Sequence, residues 1–199
     1  MKRVVITFLA LFLTFPISVA AQVTVLMSTS EGDIEIDLYV NTAPISTGNF
    51  LMLADNGDLD GASFYRVVSY ENDKGSPLIE VIQGGLGDRA SEFNTIAHES
   101  TEQTGILHTD GVISMARGAV GTASTEFFII VGDQPSLDYG GDRNADQQGF
   151  AAFGKVINGM DVVRNIQSLP ADGPSESDYT EDQILTEAVR IYSVRRIVQ

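Results

Sequence analysis

No cysteine occurs in the 199 residues, so disulfides, thiolate nucleophiles and cysteine-ligated zinc are excluded. Histidine is almost as scarce. His98 and His108 are the only two, and a histidine metal site or a Ser-His-Asp triad would have to draw on this pair. Both read as hydrogen-bonded structural residues rather than bases. Tryptophan is missing altogether. Basic residues are few: 12 Lys and Arg stand against 27 Asp and Glu, for a formal charge of −15. A chain this acidic is not expected to bind nucleic acid by phosphate neutralisation or to adhere to anionic lipid. Beyond Phe15 no apolar run is long enough to span a bilayer.

What is present begins with a leader. Lys2 and Arg3 precede an apolar run from Val4 to Phe15, and Ser18-Val19-Ala20-Ala21 supplies small residues for cleavage after Ala20 or Ala21. Residues 1–21 therefore read as a secretory signal peptide, and 22–199 as one domain. Export to the periplasm or the exterior is expected, with no membrane attachment after cleavage. Loss of Lys2 and Arg3 takes the formal charge from −15 to −17.

The mature chain is rich in strand patterns. Val23–Ser28 and Asp33–Leu38 flank a Gly-containing turn and predict a hairpin; in the second, Ile34, Ile36 and Leu38 alternate with Asp33, Glu35 and Asp37. Thr42-Ala43-Pro44 starts a helix, with Thr42 as its cap, and Asn56-Gly57 stops it. Further strands are predicted at 63–68, 79–85, 111–116, 126–131, 150–156 and 188–198. A second helix opens at Asn158-Gly159 and ends before Pro170. Eight strands and two helices without strand–helix alternation argue for a mainly β fold: a closed eight-stranded antiparallel β-barrel capped by two α-helices.

Several candidate sites fail on inspection. Asp142–Asp146 opens like a calcium loop, but Gln147 stands where that loop needs Gly and Phe153 where it needs Glu. No Gly-Lys-Ser/Thr follows Gly118–Gly121. The acids are scattered, so no carboxylate pair stands out. The stretch Ser63–Gly85 is different. Strand alternation puts Phe64 and Arg66 on one face, and Val81 and Gln83 on one face, so a cation and an amide meet among apolar neighbours.

Five segments carry a resemblance: Phe64-Tyr65-Arg66-Val67-Val68, Ile82-Gln83-Gly84-Gly85, Ile113-Ser114-Met115-Ala116-Arg117, Glu126-Phe127-Phe128-Ile129 and Phe153–Val163. In this order, and mostly at matching intervals, they make the chain resemble the cyclophilins, peptidyl-prolyl cis–trans isomerases built on such a barrel. The resemblance runs from about Val23 to Val198. It implies that Arg66 is the catalytic arginine and Gln83 the glutamine that holds it and the substrate. It implies that Val81, Phe128, Leu137 and Phe150 line a proline pocket, that Ala116 and Arg117 contact the substrate backbone, and that Glu126 takes a substrate-binding position. The partners implied are proline-containing peptides and unfolded exported proteins. No cofactor and no metal is implied, and a monomer is expected.

The departures are informative. The loop Ser69–Pro77 is long, and Glu80 falls where a pocket Phe is expected, with Tyr70 as its substitute. Arg117 replaces a common Asn and Glu126 a common Gln, and the two are expected to pair. Phe150 replaces a common His. The loop Tyr139–Gln148 is also long. Because Glu80, Arg117 and Glu126 bring charge toward the pocket, an alternative keeps the barrel as a catalytically weak proline-peptide binding module. A second alternative is an unrelated exported barrel holding a small apolar ligand inside; the large residues Phe127, Phe153, Ile113, Met115 and Ile129 argue for a filled interior instead. The leader generates a direct check: mass spectrometry of protein from the exported fraction is expected to find Ala21 or Gln22 at the N-terminus, and a retained Met1 would remove the signal-peptide reading.

Overall fold

A computed structural model describes residues 22–197; the signal-peptide reading falls on residues 1–21, outside the described residues. The strands are β1 (Val23–Thr29), β2 (Gly32–Leu38), β3 (Ser63–Val68), β4 (Val81–Gly85), β5 (Val112–Met115), β6 (Phe127–Ile130), β7 (Ala151–Asn158) and β8 (Ile184–Arg196). All pair antiparallel and close on themselves in the order β1-β2-β7-β5-β6-β4-β3-β8. The architecture is the expected mainly β closed barrel.

Alternation fills the interior. Ile34, Ile36 and Leu38 of β2 are wholly buried while the acids between them point away. Phe64, Phe127 and Phe153 also point inward, with Phe64 and Phe127 edge-to-face at 5.7 Å between centroids. Side chains occupy the space that a ligand-carrying barrel would leave open.

Helix α1 (Pro44–Asn56) packs on β7 and β8, and the third helix (Met160–Gln167) packs on β2, β3 and β4. The α1 start departs from expectation. Thr42 does not cap it; Ala43 is the cap residue and offers no side-chain bond. Instead the Glu99 carboxylate accepts from the Ile45 and Ser46 N–H groups at 3.0 and 2.7 Å. An anion from a distant loop thus meets the positive helix end. The helix stops as expected, at Gly57 with φ 77°. The predicted long loop after Gly85 contains a 3₁₀ turn (Gly87–Glu92) and a further short helix, α2 (Thr101–Thr104), which makes the Met160–Gln167 helix α3. Ser100 and Gln103 form a capping box on α2, a short-range signal that the weak apolar periodicity concealed.

A bulge in β3 decides where the candidate site lies. Phe64 sits opposite Gly84, yet Arg66 sits opposite Gln83, so Tyr65 is one residue too many; pairing with β8 breaks at the same place. The expected shared face of Phe64 and Arg66 is therefore wrong. Phe64 turns inward at 0 % exposure, while Tyr65 and Arg66 both emerge outside and both hydrogen-bond to Gln83. Outside the barrel a second apolar cluster collects Val68, Val81, Val112, Phe128, Ile130 and Ala152 from five strands, joined by Ile79 and Leu137. The inner cluster generates a stability expectation. Phe127→Ala should lose about 3–5 kcal/mol, measured by urea denaturation; a loss within experimental error would mean that the interior is not close-packed there.

Candidate active site

The outer cluster floors a cleft of about 200 Å³ lined by Arg66, Val68, Ile79, Val81, Gln83, Ala116, Arg117, Phe128, Leu137, Arg143, Asn144, Phe150 and Tyr179. Eight of the nine sequence-predicted site residues lie here: Arg66, Gln83, Val81, Ala116, Arg117, Phe128, Leu137 and Phe150. Phe128 and Phe150 meet edge-to-face at 5.2 Å and form an apolar corner. Behind Phe128, the buried His108 ring stacks at 6.2 Å. Its Nδ1–H donates to Asp138 at 2.7 Å, and Nε2 meets Ser114 Oγ at 3.0 Å. His98 Nε2–H donates to the Gln148 carbonyl at 2.9 Å. Both histidines are thus bound into the structure.

Arg66 is gripped from both sides. Its Nη1–H donates to Gln83 Oε1 at 2.9 Å, and its Nε–H and Nη2–H donate to Gln183 Oε1 at 2.9 and 2.6 Å. Both amides are oriented by what lies behind them. Gln183 Nε2 donates to the Asn72 carbonyl at 2.8 Å, which leaves its oxygen for Arg66. Gln83 Nε2 donates to Tyr65 Oη at 3.0 Å, and Tyr65 Oη–H donates to Glu126. An ionised carboxylate only accepts, so the polarity of that relay runs one way, from Arg66 to Glu126. Burial, reinforced by the Glu126 charge, pushes the Tyr65 phenol up and keeps it a donor. Burial pushes the Arg66 guanidinium down from the usual arginine range, with Tyr179 opposing; it stays charged at neutral pH regardless. Among the described residues no carboxylate forms an ion pair with it.

Glu126 is the predicted residue placed outside the cleft lining. Besides Tyr65, it accepts from the Leu86 and Gly87 N–H groups at 2.8 and 3.1 Å and from Thr125 Oγ1 at 3.1 Å. Gly85 gives it room, since a Cβ there would meet its carboxylate at 2.5–2.6 Å. The expected Arg117–Glu126 pair does not form. Arg117 donates instead to both Asp146 oxygens at 2.8 and 2.9 Å and to the Gly149 carbonyl at 2.8 Å, lying over the Phe150 ring at 5.1 Å. That contact holds Asp146 down to about 2, well below the usual carboxylate range. Glu80 and Tyr70 line a separate cleft with Gln167. Ile79, not Tyr70, stands at the apolar wall.

Sequence reasoning missed Val68, Ile79, Gln183, Arg143 and Tyr179. The first two were within reach, since Val68 and Ile79 lie two residues from Arg66 and Val81 on alternating strand-like backbone. The others come from loops and carry no local signal. Arg143 spans them. It grips Asp73 with both Nη atoms at 2.7 and 2.9 Å and donates to the Pro77 carbonyl at 2.6 Å and to Tyr179 Oη at 2.9 Å. Among the described residues no three His, Asp or Glu side chains converge as metal ligands do.

A family model described as cyclophilin type peptidyl-prolyl cis-trans isomerase/CLD matches residues 24–196. A peptidyl-prolyl cis-trans isomerase of Acinetobacter baylyi is 37% identical over 75% of this chain and 74% of its own length. Peptidyl-prolyl cis-trans isomerase A of Dickeya dadantii is 34% identical over 87% of each. Among solved structures, a cyclophilin type peptidyl-prolyl cis-trans isomerase of Cryptosporidium parvum superposes with a TM-score of 0.66 at 19% identity, covering 90% of this chain and 99% of that one. A second structure of it, determined in the presence of the dipeptide Ala-Pro, gives 0.65 at 20%, covering 88% and 99%.

The Asp73–Arg143 pair carries a pH signature. Burial alone would raise the Asp73 carboxyl, but Arg143 and the Gly75 and Ile79 N–H groups outweigh it and hold it below the ordinary range. A group depressed in the folded chain contributes fully above its unfolded value, about pH 4, and loses that contribution as pH falls through the lower folded one. Asp73→Asn is expected to be less stable than the parent at pH 7, by up to about 3–5 kcal/mol for a buried pair broken on one side. The gap should narrow below about pH 4; urea denaturation at pH 7 and 3 measures both.

Proposed function

Because the chain belongs to the family of cyclophilin-type peptidyl-prolyl cis–trans isomerases and catalyses that reaction, we propose that Arg66 is its catalytic residue and that it acts on proline-containing segments of exported proteins as they fold. The observation that carries this is the guanidinium held by two neutral amides in the same cleft as the apolar corner of Phe128 and Phe150.

The chemistry needs nothing more elaborate. An X-Pro bond crosses between isomers in tens to hundreds of seconds, against a barrier of about 18–20 kcal/mol from amide resonance. No bond breaks, so the enzyme has only to favour the twisted amide over both planar forms. Twisting localises a lone pair on the prolyl nitrogen. A charged N–H aimed there bonds more strongly to the twisted amide than to either planar one. Gln83 and Gln183 engage three N–H contacts of Arg66 and fix the plane of its fork. Phe128, Phe150, Leu137 and Val81 would hold the ring while the other side of the bond rotates, and Ala116 would anchor the peptide backbone. Arg117 shapes the corner from over Phe150, with its charge already matched by Asp146. Glu126 acts as a positioning residue through Tyr65 and Gln83. Glu80 and Glu126 do not line this cleft, which removes most of the motive for a binding-only module. The leader at residues 1–21 supports an exported setting.

Two variants test the assignment on the cis-to-trans rate of a short X-Pro peptide. Arg66→Ala is expected to lose about 10²–10³ of the catalysed rate, with the barrel still folded by circular dichroism. Retained activity in that folded variant would take Arg66 out of the role. Tyr65→Phe, which frees the Gln83 amide to turn over, is expected to cost about two- to tenfold, as one lost hydrogen bond does.

A further inference from the structure

We infer that Tyr179 is a specificity-determining residue, its ring forming the subsite for a side chain that flanks the substrate proline. This rests on the reading of the cleft as the proline site.

Tyr179 belongs to the acid-rich loop before β8, outside the strands of the barrel. The residue is 47% exposed and joins neither apolar cluster, so core packing does not explain it. Its position is nonetheless fixed at two points. One face covers the Arg66 guanidinium carbon at 5.6 Å, and the hydroxyl accepts from Arg143 at 2.9 Å. The Arg143 side chain is itself held, being 5% exposed and paired with the buried carboxylate of Asp73. Gly75 lies against that guanidinium so closely that a Cβ there would collide with it. Loops from three separate parts of the chain thus converge to hold one half-exposed aromatic ring in a set orientation beside Arg66.

If Arg66 faces the prolyl nitrogen and Phe128 and Phe150 take the proline ring, the peptide on one side of the proline must pass Tyr179. A flat ring pinned at its face and its hydroxyl offers its remaining surface to apolar and aromatic side chains, and little to glycine. Aromatic pairs of this kind shift affinity by about two- to tenfold.

The test compares wild type, Tyr179→Ala and Tyr179→Phe on two peptide series, one varying the residue before proline among Gly, Ala, Leu and Phe, the other the residue after it. In at least one series the Phe-to-Gly ratio of kcat/KM is expected to fall about three- to tenfold in Tyr179→Ala and to hold in Tyr179→Phe, which keeps the ring. If Tyr179→Ala slows every peptide equally, or changes none, the inference is overturned while the isomerase reading stands. If folded wild-type protein accelerates no peptide, the isomerase reading fails and takes this inference with it.

Discussion

Among the described residues the charge on Arg66 is held by two neutral amides and by no carboxylate, and the rest of the site depends on this. A carboxylate in either place would satisfy the guanidinium before any substrate arrived, leaving less field for the twisted amide. Glutamine supplies geometry without neutralisation. An amide is ambiguous, however, because either end can face the arginine. The ambiguity is removed one layer further out, by a backbone carbonyl behind Gln183 and by the Tyr65–Glu126 pair behind Gln83. Groups that only accept stand at the ends of both chains, so each amide oxygen is turned inward.

The bulge at Tyr65 is the backbone counterpart of the same design. Without the extra residue, Arg66 would follow Phe64 into the interior, where a charge has no partner and no water. With it, Phe64 packs the barrel and two polar side chains in succession reach the outer face. Period-two alternation assumes an unbroken strand, so it read Phe64 and Arg66 onto one face. Where a strand keeps the period the barrel was legible: β2 and the Phe127–Ile130 strand place every large residue where alternation puts it, while the pairings of β7 and β8 carry further register shifts. The start of α1 was misread for a related reason. The group that caps it, Glu99, lies more than fifty residues away in a segment with no pattern of its own.

The apolar corner was legible through the resemblance, since short motifs on paired strands keep their register. The charged rim was not. Arg117 and Glu126 look like partners because both depart from common residues on neighbouring segments, yet each is matched elsewhere: Arg117 by Asp146 in a loop, Glu126 by Tyr65 of β3 and the Leu86–Gly87 backbone. Arg143, Tyr179 and Gln183 come from long polar stretches without periodicity. Their meaning lies in where the barrel brings them together, with 70 residues separating Arg143 from Asp73 and 117 separating Gln183 from Arg66.

That last separation has a temporal side. Strand β8 lies between β1 and β3 and closes the barrel, and Gln183 stands at its threshold. A chain that emerges from its N-terminal end carries the arginine strand long before it carries the residue that sets the arginine. Until the final strand is laid in, the barrel is a sheet with two open edges and Arg66 is gripped on one side only. The grip on Arg66 is therefore complete only where the barrel's last seam is closed, so the site is set by the same strand that finishes the fold.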